Sequence, residues 1–390
     1  MAEPLETGGG AVPRPVVCRD RWWAMRFRQA TRKDPVPNIG YATPDADSPL
    51  SEKTFERRAV GANDVRIDIA FCGVCHSDVH QARDELPGEA LQTNFPCMPG
   101  HEITGTVAEV GENVTKFSEG DRVGVGCMVD SCGHCKRCKA GLEQFCLNGF
   151  TLTYNTPDPD SGEPTYGGYS DGIVVTEDFV LRIPDEIPLE KAAPLLCAGI
   201  TTFSPLKHWD IGSGHRIGVA GIGGLGNMAI KLAKALGATV VALTTTPEKT
   251  DKARELGADE VIVMGEEEAV AENAASLDFI LSTIPEGFDP NPYLGLLALD
   301  GELVSVGCLE PLSDPPSMDT MVISRLSVGA SFIGGIPETQ EVLDFCVEHD
   351  IAADIEVVDI GDINAVFDKV NDGDVHHRFV IDSSTLPAAA

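Results

Sequence analysis

The chain has 390 residues, of which 43% are hydrophobic and 23% charged, and its 61 acidic against 29 basic residues give a formal charge of −32. That length accommodates about two domains, and the lack of any run of about 18 apolar residues argues against a membrane-spanning helix. The charge repels nucleic acid and anionic lipid, so neither is expected as a partner. Met1 to Pro15 lacks the apolar core of an export signal, so the expected location is the cytoplasm. The acids are dispersed, as in Gly265 to Glu268 and Asp354 to Asp362, which points to an acidic proteome and a halophilic owner working in concentrated salt, the other reading being a merely acidic enzyme of a mesophile.

In chain order, residues 1–34 are Gly- and Pro-rich without periodicity and read as a loose extension, and Thr43 to Pro49 reads as a turn-rich loop. From Asp64 to Asp178 short alternating apolar runs follow, such as Val65 to Ile69, Thr104 to Val110 and Arg122 to Val125, the pattern of a strand-rich barrel. Within it lies the run Cys132-x2-Cys135-x2-Cys138-x7-Cys146. Four thiolates at this spacing close a tetrahedral zinc shell with no position left for substrate, which makes the site structural. Lys136, Arg137 and Lys139 favour the deprotonated thiols.

After Pro194 the period changes. Arg216 to Ala220 reads as a buried strand, Leu225, Ala229, Leu232 and Leu236 lie at helical spacing, and Gly237 closes the helix. Strand Thr239 to Thr244, helix Pro247 to Leu256, and strands Glu260 to Val263, Leu277 to Ser282 and Glu302 to Val306 continue the alternation of a doubly wound parallel sheet, an α/β fold. Helix Glu338 to Glu348 and strand Arg378 to Ile381 return to the first unit. The expected domains are therefore 35–196 together with 337–390, and 197–336.

Between the first of these strands and its helix stands Gly221-Ile222-Gly223-Gly224-Leu225-Gly226, a G-x-G-x-x-G turn that lets a pyrophosphate meet the backbone and the helix N-terminus. About 20 residues on, where a site for NAD places an acid, the chain has Thr244, Thr245, Thr246 and Lys249. These suit a 2′-phosphate and predict NADP, although Glu248 stands among them; equally, Thr246 and Pro247 can be the N-cap and first residue of an ordinary helix. Cys75, His101 and Cys197 are scattered, but two thiols and one imidazole with an open fourth position form the pattern of a catalytic zinc. Cys18, Cys72, Cys97, Cys127, Cys308 and Cys346 fit no ligand spacing and read as ordinary thiols.

Together these segments resemble the zinc-containing medium-chain alcohol dehydrogenases, in their cinnamyl alcohol dehydrogenase-like branch. The resemblance runs from about Val36 to Asp382. It rests on Gly73 to Asp78, Gly100 to Glu102, the four-Cys run, Tyr166 to Tyr169, Cys197 to Thr201, the glycine turn and Ser331 to Gly334. It implies a strand-rich GroES-like catalytic domain plus a doubly wound Rossmann domain, two zinc ions and NADP. The catalytic zinc would be held by Cys75, His101 and Cys197, with Glu102 able to approach the metal, and Asp78 would orient His101. Ser77 and His80 would relay a proton, and Thr201, Thr283, Gly307, Ser331, Phe332 and Ile333 would meet the nicotinamide end. The implied reaction moves hydride between NADP(H) and an aldehyde or primary alcohol, with zinc as Lewis acid. A homodimer or tetramer joined through the nucleotide domains is implied as well. The extension and Cys97 fall outside the family pattern or have no evident task, and the substrate pocket is expected around Cys127, Phe150 and Trp209.

The same ligands would serve a polyol or secondary-alcohol dehydrogenase. A non-catalytic dinucleotide sensor would be marked by a lost ligand among Cys75, His101 and Cys197, and all three are present. A zinc-ribbon nucleic-acid binder needs a basic face that the composition lacks.

Overall fold

Alternation of buried Val65, Ile67 and Ile69 with half-buried Arg66 and exposed Asp68 makes Asp64–Gly73 the central strand of a seven-stranded sheet in this computed structural model. The structure describes residues 36–387 apart from 87, 89–91, 160, 308 and 374–376, so the expected N-terminal extension, Cys18 and Cys308 lie outside the described residues. The central strand pairs antiparallel with Ile103–Val110, Gly172–Thr176 and the late strand Arg378–Asp382, and Ile355–Asp359 lies beyond the last of these. Val65, Ile67, Val107, Val123, Ile173 and Phe379 share one core beneath it. A hairpin of Val36–Ala42 and Ser51–Arg57 flanks this sheet, its connection covering the loop expected over Thr43 to Pro49.

The second sheet has six parallel strands in the order Glu260–Val263, Thr239–Thr244, Arg216–Ala220, Leu277–Ser282, Leu297–Ser305, Ser327–Ala330. The order reverses between Arg216–Ala220 and Leu277–Ser282, and in such sheets ligands bind in the crevice beyond the carboxyl ends of the strands at that point. Met228, Ala229 and Leu232 of helix Gly224–Ala235 pack on one face, and Tyr293, Leu294 and Leu296 on the other. A strand-rich domain beside a doubly wound α/β domain is thus the observed architecture. Among the described residues no helix is long and apolar enough to cross a membrane.

Several elements differ from expectation. The helix expected over Pro247 to Leu256 is a 3-10 turn, Pro247–Lys249, followed by a short helix, Thr250–Glu255. Thr246 holds the N-cap position without capping through its side chain; instead the Thr244 hydroxyl accepts a bond from the Thr246 amide at 3.0 Å. The strand expected from Glu302 begins at Leu297, because the chain runs through the Asp300-Gly301 turn signal with Asp300 at φ 66°. Helix Ala198–His208 has no sequence signal because Ala198 to Leu206 are all buried, so no polar face alternates with an apolar one.

Candidate metal centre and nucleotide cleft

Cys75 ends the turn after the central strand and stands at the N-cap of helix His76–Ala82. His101 and Glu102 immediately precede the next strand, and Cys197 precedes helix Ala198–His208. These four residues, separated by up to 122 positions, place one ligand atom each within 4.8 Å of one another. The Cys75 and Cys197 sulfurs are 3.9 Å apart. The shared hydrogen bond pushes the Cys75 thiol well below its ordinary pKa, while a bond to Cys127 and then the bond to Cys75 push Cys197 well above it. This pair readily yields the first thiolate.

Asp78 is fully buried, one turn into the same helix. Its Oδ1 accepts from His101 Nδ1 at 3.1 Å and from the Gly100 amide at 3.2 Å, and its Oδ2 accepts from the Cys75 amide at 2.9 Å and from the Tyr169 hydroxyl at 3.1 Å. The contact at His101 Nδ1 leaves Nε2 for a metal. Burial pulls the His101 pKa down, but the charge of Asp78 and its hydrogen bond raise it well above the ordinary value.

Glu102 is also fully buried, yet neither carboxylate oxygen takes a hydrogen bond among the described residues. Burial pushes its carboxyl up to about 7 against the opposing charge of Arg378, whose Nη2 lies 3.7 Å away. A side chain at Gly73 would place Cβ 1.9 Å from Glu102 Oε2, so glycine there makes room for the carboxylate. Two thiols, an imidazole and a carboxylate with unused oxygens match the preferences of zinc, and the site fits that ion.

In the four-Cys lobe, Cys138 Sγ lies 3.8 Å from Cys132 Sγ and 3.5 Å from Cys135 Sγ, and all four sulfurs lie within 4.8 Å. The amides of Cys135, Cys138 and Asn148 donate to the sulfurs of Cys132, Cys135 and Cys146, each at 3.4 Å. The Cys138 amide and further backbone bonds hold the Cys135 thiol down to about 6. Donors aimed at sulfur stabilise thiolate, so this lobe also fits zinc.

The glycine turn begins at Gly221, φ 88°, and Gly226 packs so closely that a Cβ on it would lie 1.9 Å from the Gly221 carbonyl oxygen. Ile222, Gly223, Gly224 and Leu225 lie between them at the start of the helix. Thr283 Oγ1 donates to the carbonyls of Ala220 and Gly221 at 3.0 and 3.1 Å, Gly307 packs against the Thr283 carbonyl, and Ser331 donates its amide to Ser305. The structure thus gathers Gly221, Thr283, Gly307 and Ser331 at the carboxyl ends of neighbouring strands. Thr201 is buried with its Oγ1 unpaired among the described residues, as is suited to a ligand hydroxyl or amide. Thr244 closes its strand, Thr245 is exposed and Lys249 half-buried, beside the turn at the same edge.

Ser77 and His80 both lie half-buried on helix His76–Ala82, with His80 Nδ1 2.9 Å from Glu85 Oε2. His76, which no motif singled out, stacks on His80 at 4.5 Å. Arg378 was missed too: it faces Glu102 on one side and lies against Gly224 of the nucleotide turn on the other. Cys127 is no ordinary distant thiol. It donates to the Leu196 carbonyl at 3.7 Å, and a hydrogen bond with neighbouring Cys197 holds its pKa below the ordinary value, so it lies beside the ligand cluster, while Phe150 meets Phe332 at 5.9 Å. Trp209, by contrast, packs on Phe279 at 5.8 Å in the core of the nucleotide domain. Cys97 is buried and exchanges both backbone hydrogen bonds with Thr43, a structural task.

Residues 61–185 match the alcohol dehydrogenase GroES-like domain, and residues 224–348 match the zinc-binding dehydrogenase family. The NADP-dependent alcohol dehydrogenase C 1 of Mycolicibacterium smegmatis is 50% identical over 349 residues, covering 89% of this chain and 98% of that protein. The aldehyde reductase YahK of Escherichia coli is 50% identical over 343 residues, with 87% and 97% covered. A cinnamyl alcohol dehydrogenase structure from Helicobacter pylori, complexed with NADP(H), superposes with a TM-score of 0.84 at 41% identity, covering 90% of this chain and 99% of that one. The chain belongs to the zinc-binding medium-chain alcohol dehydrogenases, in the branch that contains the cinnamyl alcohol dehydrogenases.

Proposed function

We propose that the reaction centre is the cluster of Cys75, His101 and Cys197, with Glu102 as the carboxylate that reaches the metal when substrate is absent, and that the four-Cys lobe holds a second, structural zinc. The chain is an NADP-dependent zinc oxidoreductase that interconverts aldehydes and primary alcohols. The observation that carries the residue assignment is the convergence of two thiols and an Asp78-oriented imidazole beside a buried carboxylate whose oxygens are unused. When bound, zinc polarises the carbonyl and the reduced nicotinamide supplies hydride.

The chain's own groups do the rest. Asp78 fixes the His101 tautomer, so Nε2 faces the centre. Ser77, two residues beyond Cys75, passes the proton, and His80, held by Glu85 and partly exposed, carries it to solvent. Thr201, Thr283, Gly307 and the segment Ser331, Phe332 and Ile333 receive the nicotinamide end, and the turn Gly221 to Gly226 the pyrophosphate. Thr244, Thr245, Thr246 and Lys249 take the 2′-phosphate, the Lys as a charge that a 2′-hydroxyl would not need.

We also infer a homodimer or tetramer joined through the nucleotide domains, a reading supported by the exposed Leu299, Met318, Val322 and Ile323 around the edge strand Ser327–Ala330. A cytoplasmic location and a salt-adapted surface complete the reading.

Initial rates with NADPH and with NADH, on cinnamaldehyde and benzaldehyde in molar KCl and on protein purified without chelator, test it. Faster NADPH-dependent reduction is expected. Preference for NADH would overturn the assignment of Thr244 to Lys249, and no turnover by folded, zinc-loaded protein would overturn the reductase reading itself.

A further inference from the structure

The helix Ile336–Glu348 starts without a side-chain cap of its own: Gly335 holds the N-cap position and Pro337 offers no amide hydrogen. Its first amide, Ile336 N, instead donates at 3.0 Å to Glu143 Oε2, a carboxylate from the loop between Cys138 and Cys146. The two segments also touch through their backbones, since a Cβ on Gly335 would lie 1.8 Å from the Gly141 carbonyl oxygen. The four-Cys lobe is therefore clamped to the start of a helix nearly 200 residues later in the chain, at |i−j| = 193.

What that clamp holds is the turn from Ser331 to Gly335. Ile333 there adopts φ 39°, a conformation that a β-branched residue takes only where its surroundings enforce it. Its side chain is buried in the core of the strand-rich domain, although the strand leading to it, Ser327–Ala330, belongs to the parallel sheet. Ile333 and Cys127 line one recess with Leu196, which precedes Cys197, and Ile200, in the first turn of the helix that follows it.

We propose that Glu143 is a positioning residue: it caps the helix Ile336–Glu348 from the metal lobe and so fixes the Ile333 wall of the substrate recess. This inference rests on the aldehyde-reductase reading. A cap made by a distant lobe gives the four-Cys site a role in substrate fit besides stability. The same turn carries the proposed nicotinamide contacts, so both aldehydes feel a shift of it, and a bulky aldehyde that packs on the wall loses more than a two-carbon one.

The test compares Glu143→Ala, Glu143→Gln and Gly335→Ala with the unaltered enzyme, using kcat/KM for cinnamaldehyde and for acetaldehyde, zinc content, and hydrogen exchange of the segment 331–345. In Glu143→Ala, with the zinc content of the unaltered enzyme, kcat/KM for cinnamaldehyde should fall about tenfold, the size expected for losing one charge-assisted hydrogen bond, and by several-fold less for acetaldehyde. Glu143→Gln keeps an acceptor oxygen and should restore selectivity and exchange protection. Gly335→Ala, which opens the clamp from the other side, should reproduce the selectivity loss. Equal losses on both aldehydes, unaltered selectivity in Gly335→Ala, or full protection of 331–345 in Glu143→Ala overturns the proposal. Inactivity of the unaltered enzyme would instead overturn the reductase reading, and the exchange data would still decide the role of the cap.

Discussion

Asp78 accepts four hydrogen bonds, from His101, Tyr169 and the amides of Cys75 and Gly100, so each of its oxygens is used twice. Asp78→Asn would keep one acceptor oxygen and turn an NH2 group toward existing donors. We expect zinc affinity or activity to fall by about 10–100-fold, the usual effect of losing the partner of a ligating imidazole, read by chelator competition; zinc retention like that of the unaltered protein would refute the role. Lys249 carries the matching prediction for the cofactor: Lys249→Glu should lower the preference for NADPH over NADH by about tenfold or more, because it places like charge against the phosphate, and an unchanged preference would remove Lys249 from the site. Cys75, His101 and Cys197 could be picked out in the sequence because each sits in a short distinctive segment. Arg378 sits in no such segment, and Tyr169, though within the run Tyr166 to Tyr169, received no role from it. Arg378 reaches the Val74 carbonyl across 304 positions and Tyr169 reaches Asp78 across 91, contacts that exist only after the seven-stranded sheet brings these distant segments together.

Among the elements, the nucleotide sheet was legible because its strands are buried runs broken by glycine turns and amphipathic helices. The helix Ala198–His208 was not, since a helix buried on every side shows no period. Nor does the sequence reveal that Asp354, just before the strand Ile355–Asp359, ties the two domains together. Its carboxylate lies 3.0 Å from Lys231 Nζ and 3.5 Å from Lys252 Nζ, on two helices of the nucleotide domain. Partial burial raises its pKa, but the bonds and charges of the two lysines more than offset this and hold it below the ordinary value. Because folding depresses the pKa, the contribution is present above the unfolded value of about 3.9 and is lost as pH falls through the folded value. Asp354→Asn should therefore cost about 0.5–1 kcal/mol at pH 7, a figure kept small because the pair is partly exposed, and the gap should close in acid, at a pH below the folded value. Denaturant unfolding at both pH values checks it, and a gap that widens in acid would refute it. The metal lobe makes a second element-scale prediction. Cys135→Ser should lose one zinc per chain by elemental analysis and lower the melting temperature while the Cys75, His101 and Cys197 site stays loaded; loss of both ions would mean that the lobes do not hold metal independently.

For the whole molecule the governing quantity is the excess of 61 acidic over 29 basic residues. Visible ion pairs such as Lys116 with Asp178 and Lys207 with Glu341 are exposed, and pairs of this kind contribute about 0–1 kcal/mol each before screening. Salt weakens those attractions, but it also weakens repulsion among many unpaired carboxylates, and at 1 M the screening length falls to about 3 Å from about 10 Å at 0.1 M. The sign of the salt response therefore reports which set dominates. With a net charge of −32, repulsion should win, so raising KCl from about 0.05 M to 2 M should raise the melting temperature by about 5 °C or more and increase the active fraction at fixed temperature. Chloride with potassium is the appropriate salt, because sulfate or phosphate would strengthen apolar burial in any protein and obscure the charge effect. A melting temperature that is flat or falling with KCl would mean that the ion pairs, including the Asp354 tie, outweigh the repulsion, and the acidic surface would then carry no salt requirement.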